Sequence, residues 1–144
     1  YSDRFVQHAF ALKALKIPVP EIISHGQLEG THVRIVHYHS FPGECVRSIL
    51  HRDPSLINIS ALALFYRSLH DQGIDFKGGH LGNLIQIKPD KFGLINFTSL
   101  KLHNRPLNKE ERSRNSSRPL SYQEDLEAIE KAGLPNLKTT YHAL

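Results

Sequence analysis

The residues best suited to chemistry in this chain gather in one segment. It reads Leu69-His70-Asp71-Gln72-Gly73-Ile74-Asp75-Phe76-Lys77-Gly78-Gly79-His80-Leu81-Gly82-Asn83-Leu84-Ile85. Gly78, Gly79 and Gly82 stand with Asn83 in a loop between apolar flanks. Such a loop lets backbone come close to a ligand, because glycine has no Cβ and accepts positive φ. Thirteen residues beyond Asn83 comes a second amide, Asn96, closing the run Gly93-Leu94-Ile95. Ten histidines also raise the question of a metal site. His37 and His39 alternate on an expected strand and so share a face. No cysteine pair and no His-Glu-x-x-His helix supplies further ligands, so these histidines are expected to be structural. Cys45, the single cysteine, has no nucleophile motif around it and reads as a small buried apolar residue.

The elements that must position this loop follow from periodicity. Ser2 to Lys16 carries Phe5, Ala9, Leu12 and Leu15 at helical spacing, and Pro18 and Pro20 bar its continuation. Glu21–His25 and His32–His39 are rich in Ile and Val and predict a hairpin with a longer loop. Ser40-Phe41-Pro42-Gly43 is a turn, with a short helix expected over Glu44–Leu50. A helix over Leu56–Gln72 places Ile59, Leu62, Phe65 and Leu69 on one face, and Gly73 stops it. Leu84–Lys88 and Phe92–Phe97 are strands joined through Lys88-Pro89-Asp90-Lys91, a type I turn pattern. Toward the end, Ser121 with Glu124 fits a capping box, and Leu126 and Ile129 supply a buried stripe. Helix, hairpin, helices, hairpin and helices in that order predict an α+β class, not a parallel doubly wound sheet.

Composition sets the outer bounds. The 144 residues are 40% hydrophobic and 22% charged, which excludes wholesale disorder. No apolar run approaches the roughly 20 residues of a membrane span. One cysteine excludes an internal disulfide framework and fits a reducing, cytoplasmic setting. The first residue is Tyr1, not Met, which reads as a cut inside a longer protein. The net charge is +4, and residues 101–118 hold all of it: Lys101, Arg105, Lys109, Arg112, Arg114 and Arg118 against Glu110 and Glu111. A solvated helix and loop is the plain reading of that run, with attraction to phosphate or anionic lipid as the functional one. Nucleic acid is an unlikely partner, because Tyr122 is the nearest ring and stacking of bases has no platform.

With these residues in view, the chain resembles the protein-kinase-like superfamily, nearest to the lipopolysaccharide kinase (Kdo/WaaP) and aminoglycoside phosphotransferase branches of bacteria. The helix ending Leu69-His70-x-x-Gly73-Ile74 is similar to the superfamily's helix before the catalytic loop. His80-Leu81-Gly82-Asn83 resembles the His-Pro-Gly-Asn of small-molecule kinases, and the step from Asn83 to Asn96 equals that from loop Asn to metal-binding Asp. Leu15-Lys16-Ile17-Pro18-Val19-Pro20 looks like the end of the C-helix, and Tyr38 to Glu44 like the hinge. Pro106-Leu107 and Glu111 to Asn115 are similar to the tail of lipopolysaccharide kinases. The resemblance covers roughly residues 5–120. It implies that 1–43 closes an N-terminal lobe and that 44–144 is a helical C-terminal lobe. Within the latter, 74–85 would be the catalytic-loop-like segment and 84–97 the hairpin. It further implies ATP and Mg²⁺ as cofactors, with Tyr38, Ser40 and Phe41 at the nucleotide and Asn83 and Asn96 at the metal. The implied substrate is a small hydroxyl compound or lipid-linked sugar, met by a cytoplasmic protein peripheral to the inner face of the membrane through 101–118.

Two departures bear on activity. Phosphoryl transfer needs a carboxylate for the acceptor's proton and metal ions for the transferring group. The catalytic Asp position holds Gly78, and the metal-binding Asp position holds Asn96. An amide oxygen can ligate Mg²⁺, but hard cations favour carboxylates. His80, which titrates near neutrality in the unperturbed state, and Asp75 are the candidates to take over catalysis. The expectation is therefore a lipopolysaccharide-kinase-like protein with impaired transfer. The alternative is a pseudokinase that keeps the fold to bind nucleotide or protein.

Overall fold

A computed structural model describes residues 2–97 and 99–144; Tyr1 lies outside them. Helix α1 spans Ser2–Ala14 and buries Val6, Ala9 and Leu12 on one stripe. It ends two residues before the expected bound. Lys16 takes φ +62°, its N–H bonds the Lys13 carbonyl, and the Ile17 N–H reaches back to Leu12. That is a Schellman closure, so the helix is capped before either proline is met. An antiparallel hairpin follows, β1 (Glu21–Gln27) with β2 (Arg34–His39), broken by a bulge between Ile22 and Ser24. Most of its side chains face solvent, His37 and His39 among them.

Strand β3 (Glu44–Cys45) replaces the first two residues of the expected short helix, and α2 runs Val46–Arg52. A 3-10 turn at Pro54–Leu56 leads to α3 (Ile59–Asp71), whose N-cap Asn58 accepts from the Ala61 N–H at 3.0 Å. The expected helix thus starts three residues late, at Ile59, because Asn58 caps it there. Ile59, Leu62, Tyr66 and Leu69 form its buried face, with Phe65 half-buried beside them. Gly73, at φ +81°, ends the element in the left-handed region.

Three short strand pairs build the rest. Strand β5 (Leu84–Lys88) pairs with β6 (Lys91–Leu94) around Pro89-Asp90, and its other edge takes β3. Strand β6 stops at Leu94, three residues short of the expected bound. Sequence periodicity does not announce the third pair, β4 (Ile74–Phe76) with β7 (Leu100–Leu102). Helices α4 (Lys109–Ser116), α5 (Gln123–Lys131) and α6 (Leu137–His142) complete the chain. The capping box belongs to α4: Asn108 accepts from the Glu111 N–H at 2.9 Å, and Glu111 accepts from the Asn108 N–H at 2.8 Å. Ser121 does not cap α5; it closes the 3-10 turn Arg118–Leu120, its N–H and hydroxyl both donating to the Arg118 carbonyl, and α5 starts after Tyr122.

The architecture is α+β, with six helices and small antiparallel sheets among the described residues. One apolar core joins α1, α2, α3, the β5–β6 hairpin, α5 and α6 through Leu12, Val46, Leu62, Leu94, Ile129 and Leu137. Each such leucine or isoleucine contributes about 1.5–3 kcal/mol by leaving water. No helix among the described residues is long and apolar enough to cross a membrane.

Candidate functional site

The β5–β6 register explains how the two amides meet. Leu84 faces Leu94 and Ile85 faces Gly93, so residue 83 falls opposite residue 95. The Ile95 N–H accordingly bonds the Asn83 carbonyl at 3.0 Å. Asn96 then turns into the left-handed region at φ +53°, which asparagine tolerates better than most residues. Its Nδ2 donates to Asn83 Oδ1 at 3.5 Å. Buried Asn83 spends its own Nδ2 protons inward, donating to the Gly78 carbonyl at 2.7 Å and facing His80 Nε2 at 3.2 Å. Asn83 therefore ties its loop and touches Asn96 at once.

The loop is pinned from three sides. From α3, the buried Tyr66 hydroxyl donates to the Gly79 carbonyl at 2.7 Å, and burial raises its pKa well above the usual phenol value. From β3, Cys45 Sγ lies 3.6 and 3.5 Å from the Leu81 and Gly82 carbonyls, half-buried and engaged with backbone. From α2, Arg47 passes so close to Gly82 that a Cβ there would meet its Nη1 at 2.5 Å.

His80 sits among these supports. Its Nδ1 faces Arg47 Nη2 at 3.4 Å, and its ring meets Tyr122 edge-on at 5.0 Å. Burial, then the Arg47 charge, lowers its pKa. Its two ring nitrogens face Arg47 Nη2 and Asn83 Nδ2, which hold the imidazole between α2 and the loop amide, an arrangement suited to fixing the loop.

Arg47 is itself fixed by buried Asp125 on α5, with Nε to Oδ2 and Nη2 to Oδ2 both 2.9 Å. His51 Nε2 approaches the other carboxylate oxygen at 2.9 Å, and Tyr122 lies under the Arg47 guanidinium at 4.3 Å. None of Arg47, His51, Tyr122 or Asp125 stood out as a site residue in the sequence. The available signal was Asp125, a carboxylate four residues before Ile129 on the inward stripe of a helix, where a charge must find a partner.

Asp75 is not brought to this group. In β4, side chains alternate, so Ile74 and Phe76 go one way and Asp75 the other. Its Oδ1 accepts from Asn115 Nδ2 at 3.0 Å, and Arg114 lies 3.9 Å from Oδ2. His103 and Glu111 bring one ligand-type atom each to within 4.8 Å of it. This trio carries its own cations: Arg105 makes two bonds to Glu111, at 2.7 and 3.1 Å, and Arg114 neighbours Asp75. Hydrogen bonds from Arg105 and then the Asn108 N–H hold the Glu111 carboxyl down to about 2. The trio is thereby a neutralised ion-pair network that joins β4, β7 and α4.

Tyr38, Ser40 and Phe41, in contrast, are brought to Asn96. All four line one cleft of about 490 Å³, together with Phe5 and Ile95. Phe5 tilts against Tyr38 at 5.5 Å and stacks on fully buried Phe97 at 5.0 Å, joining α1 to both walls. Phe41 lies over Gly93, where a Cβ would meet its ring at 2.6 Å. The volume falls within the ~300–1,000 Å³ of small-molecule sites. No Asp, Glu, Lys or Arg lines the cleft among the described residues. At Gly78, an added Cβ would stand 3.2 Å from Asn83 Nδ2, so a side chain there would adjoin the amide pair.

Magnesium finds a poor donor set here. Both candidate ligands are neutral amides already directed at one another, and no carboxylate joins them. No protein-family model matches the chain, and no curated protein matches it in sequence.

Proposed function

We propose that the chain is a nucleotide-binding module of protein-kinase-like type, patterned on the lipopolysaccharide kinases, whose phosphoryl transfer is impaired. One observation carries the reading: the hinge-like segment, the end of the β5–β6 hairpin and Asn96 all border a single aromatic-walled cleft, with Asn83 in contact with Asn96 behind it. Phe5, Tyr38 and Phe41 offer ring faces to a planar base, and Ser40 offers backbone and hydroxyl groups beside them.

Binding is favoured over catalysis by what borders the cleft. Transfer requires a proton-accepting carboxylate and metal-bound phosphates. Gly78 and Asn96 supply neither, and Asp75 is committed to Asn115 on the other side of β4. The pseudokinase form of the reading therefore has the stronger support, and a sugar or lipid-linked acceptor has the weaker. Attachment to an anionic membrane face through 101–118 is also weakened, since Arg105 and Arg112 are already paired with Glu111 and Asp71.

Calorimetric titration of the full chain with adenosine and with ATP, each with and without Mg²⁺, tests the proposal. Both ligands should bind with little dependence on Mg²⁺, and Tyr38→Ala should weaken both about tenfold, as loss of a stacking face does. Absence of binding heat for either ligand would end the reading.

A further inference from the structure

A second concavity lies away from the aromatic cleft, where α3 and α6 pack together and α4 closes the side. It encloses about 400 Å³ and is lined by Arg67, Lys109, Arg112, Ser113, Tyr141, His142 and Leu144. Three elements thus deliver three cations, two hydroxyls and an imidazole to one hollow. No Asp or Glu side chain lines it among the described residues. Exposed Asp71 lies beside it, 2.8 Å from Arg112 and 3.9 Å from Arg67. Among the side chains, three cations thus stand against one carboxylate, and the lining is positive.

The floor is rigid. Arg112 Nε donates to the Leu107 carbonyl at 2.7 Å while Nη1 holds Asp71, so its guanidinium has one orientation. The Tyr141 hydroxyl is 2.5 Å from buried His70 Nδ1. Burial, then Arg112, pushes the His70 pKa down to about 4, which leaves that imidazole neutral at physiological pH. On the far wall, His142 Nε2 lies 3.2 Å from the Ser116 hydroxyl. Arg67 and Lys109, by contrast, are exposed at the rim.

We propose that this hollow binds a phosphoryl group, as the phosphomonoester dianion of a small metabolite or of a lipid headgroup. A phosphomonoester carries close to two negative charges above its second pKa of about 6 and presents three acceptor oxygens. Its charge is opposite to that of the lining side chains, and the rigid Arg112 with the flanking Ser113 hydroxyl matches its demand for donors. An extended polyanion fits less well. Arg105 is engaged by Glu111, so the basic stretch 101–118 does not continue as a free cationic track from the hollow.

The test is amide NMR of the full chain titrated with inorganic phosphate at constant ionic strength, with chloride as the control. Saturable shifts should appear at Arg112, Ser113 and His142 with phosphate and not with chloride. Arg67→Gln and Lys109→Gln, both at exposed positions, should keep the fold by circular dichroism and each weaken binding about tenfold. Co-sedimentation with vesicles of phosphatidic acid in phosphatidylcholine separates the sources. Sedimentation lost in both variants assigns the lipid headgroup; saturable phosphate binding without sedimentation assigns a soluble ester. Shifts that never saturate, or that are equal in the variants, would overturn the proposal, as would no response to phosphate or vesicles.

Discussion

Two polar clusters lie on either side of the loop that follows β4, and they use opposite chemistry. On one side, Asp75, His103 and Glu111 are set among Arg105, Arg114 and Asn115, with Asp75 and Glu111 largely closed to water. On the other, His80, Asn83 and Asn96 are linked in turn by side-chain contacts, and Asn96 lines an open aromatic cleft. The carboxylates of this region serve to join β4, β7 and α4. The cleft is left with one amide, Asn96, a group that can touch a ligand but attracts metal weakly. Charge in the first cluster is structural, and the second brings no carboxylate to the cleft.

The largest expected effect breaks the charged side alone. Asn115 bonds the Phe76 N–H, Asp75 and the Glu111 carbonyl at once while nearly fully buried. Asn115→Ala leaves several buried groups without partners and should destabilise by about 3 kcal/mol in urea unfolding. Any remaining folded protein should bind ATP as the parent does. A drop in affinity matching the loss of stability would mean that the two clusters are not separable.

Acid should act next. The folded pKa of Glu111 is depressed, so its contribution is whole above the ordinary value near 4.5 and is lost as pH falls toward about 2. His70 is also depressed, so the unfolded chain binds its proton first and stability declines as pH falls from 6.5 to about 4. Urea midpoints measured between pH 8 and 2 should therefore fall in two stages. Glu111→Gln should lower the midpoint at neutral pH and flatten the second stage, leaving the first. A second stage of unchanged steepness would remove Glu111 from the account.

A smaller pair of effects tests where the helix starts. Asn108→Ala removes the α4 cap beneath the charged cluster and should cost about 1 kcal/mol. Ser121→Ala should stay within about 0.5 kcal/mol, because that hydroxyl does not cap α5. Equal losses at the two positions would contradict the observed caps.

Much of this arrangement can be read from local residues, and the failures have local causes too. The α3 stripe and the β5–β6 hairpin are read because Leu62 and Leu69 repeat at helical spacing and Pro89-Asp90 closes a short turn. Asn83 and Asn96 are singled out by the resemblance in their spacing, and it is the β5–β6 register that brings them into contact. Ser121-Tyr122-Gln123-Glu124 and Asn108-Lys109-Glu110-Glu111 both satisfy a capping pattern. Tyr122 stays extended while packed against Arg47 and His80, which puts the α5 start beyond Ser121. The β4–β7 pair has three residues a side, too few for alternation to register. The Arg47–Asp125 pair joins positions 78 apart, and nothing nearby in sequence marks either as the other's partner.

The central proposal is that the cleft lined by Asn96 takes a nucleotide without a carboxylate to hold its metal, and restoring one carboxylate tests it most directly. ATP affinity of the parent chain and of Asn96→Asp should be measured by calorimetry across a Mg²⁺ titration. The account predicts weak, Mg²⁺-indifferent binding in the parent and tighter, Mg²⁺-dependent binding in the variant, by about tenfold for one added charge-assisted ligand. No ATP binding in either protein, at any Mg²⁺ concentration, would contradict it.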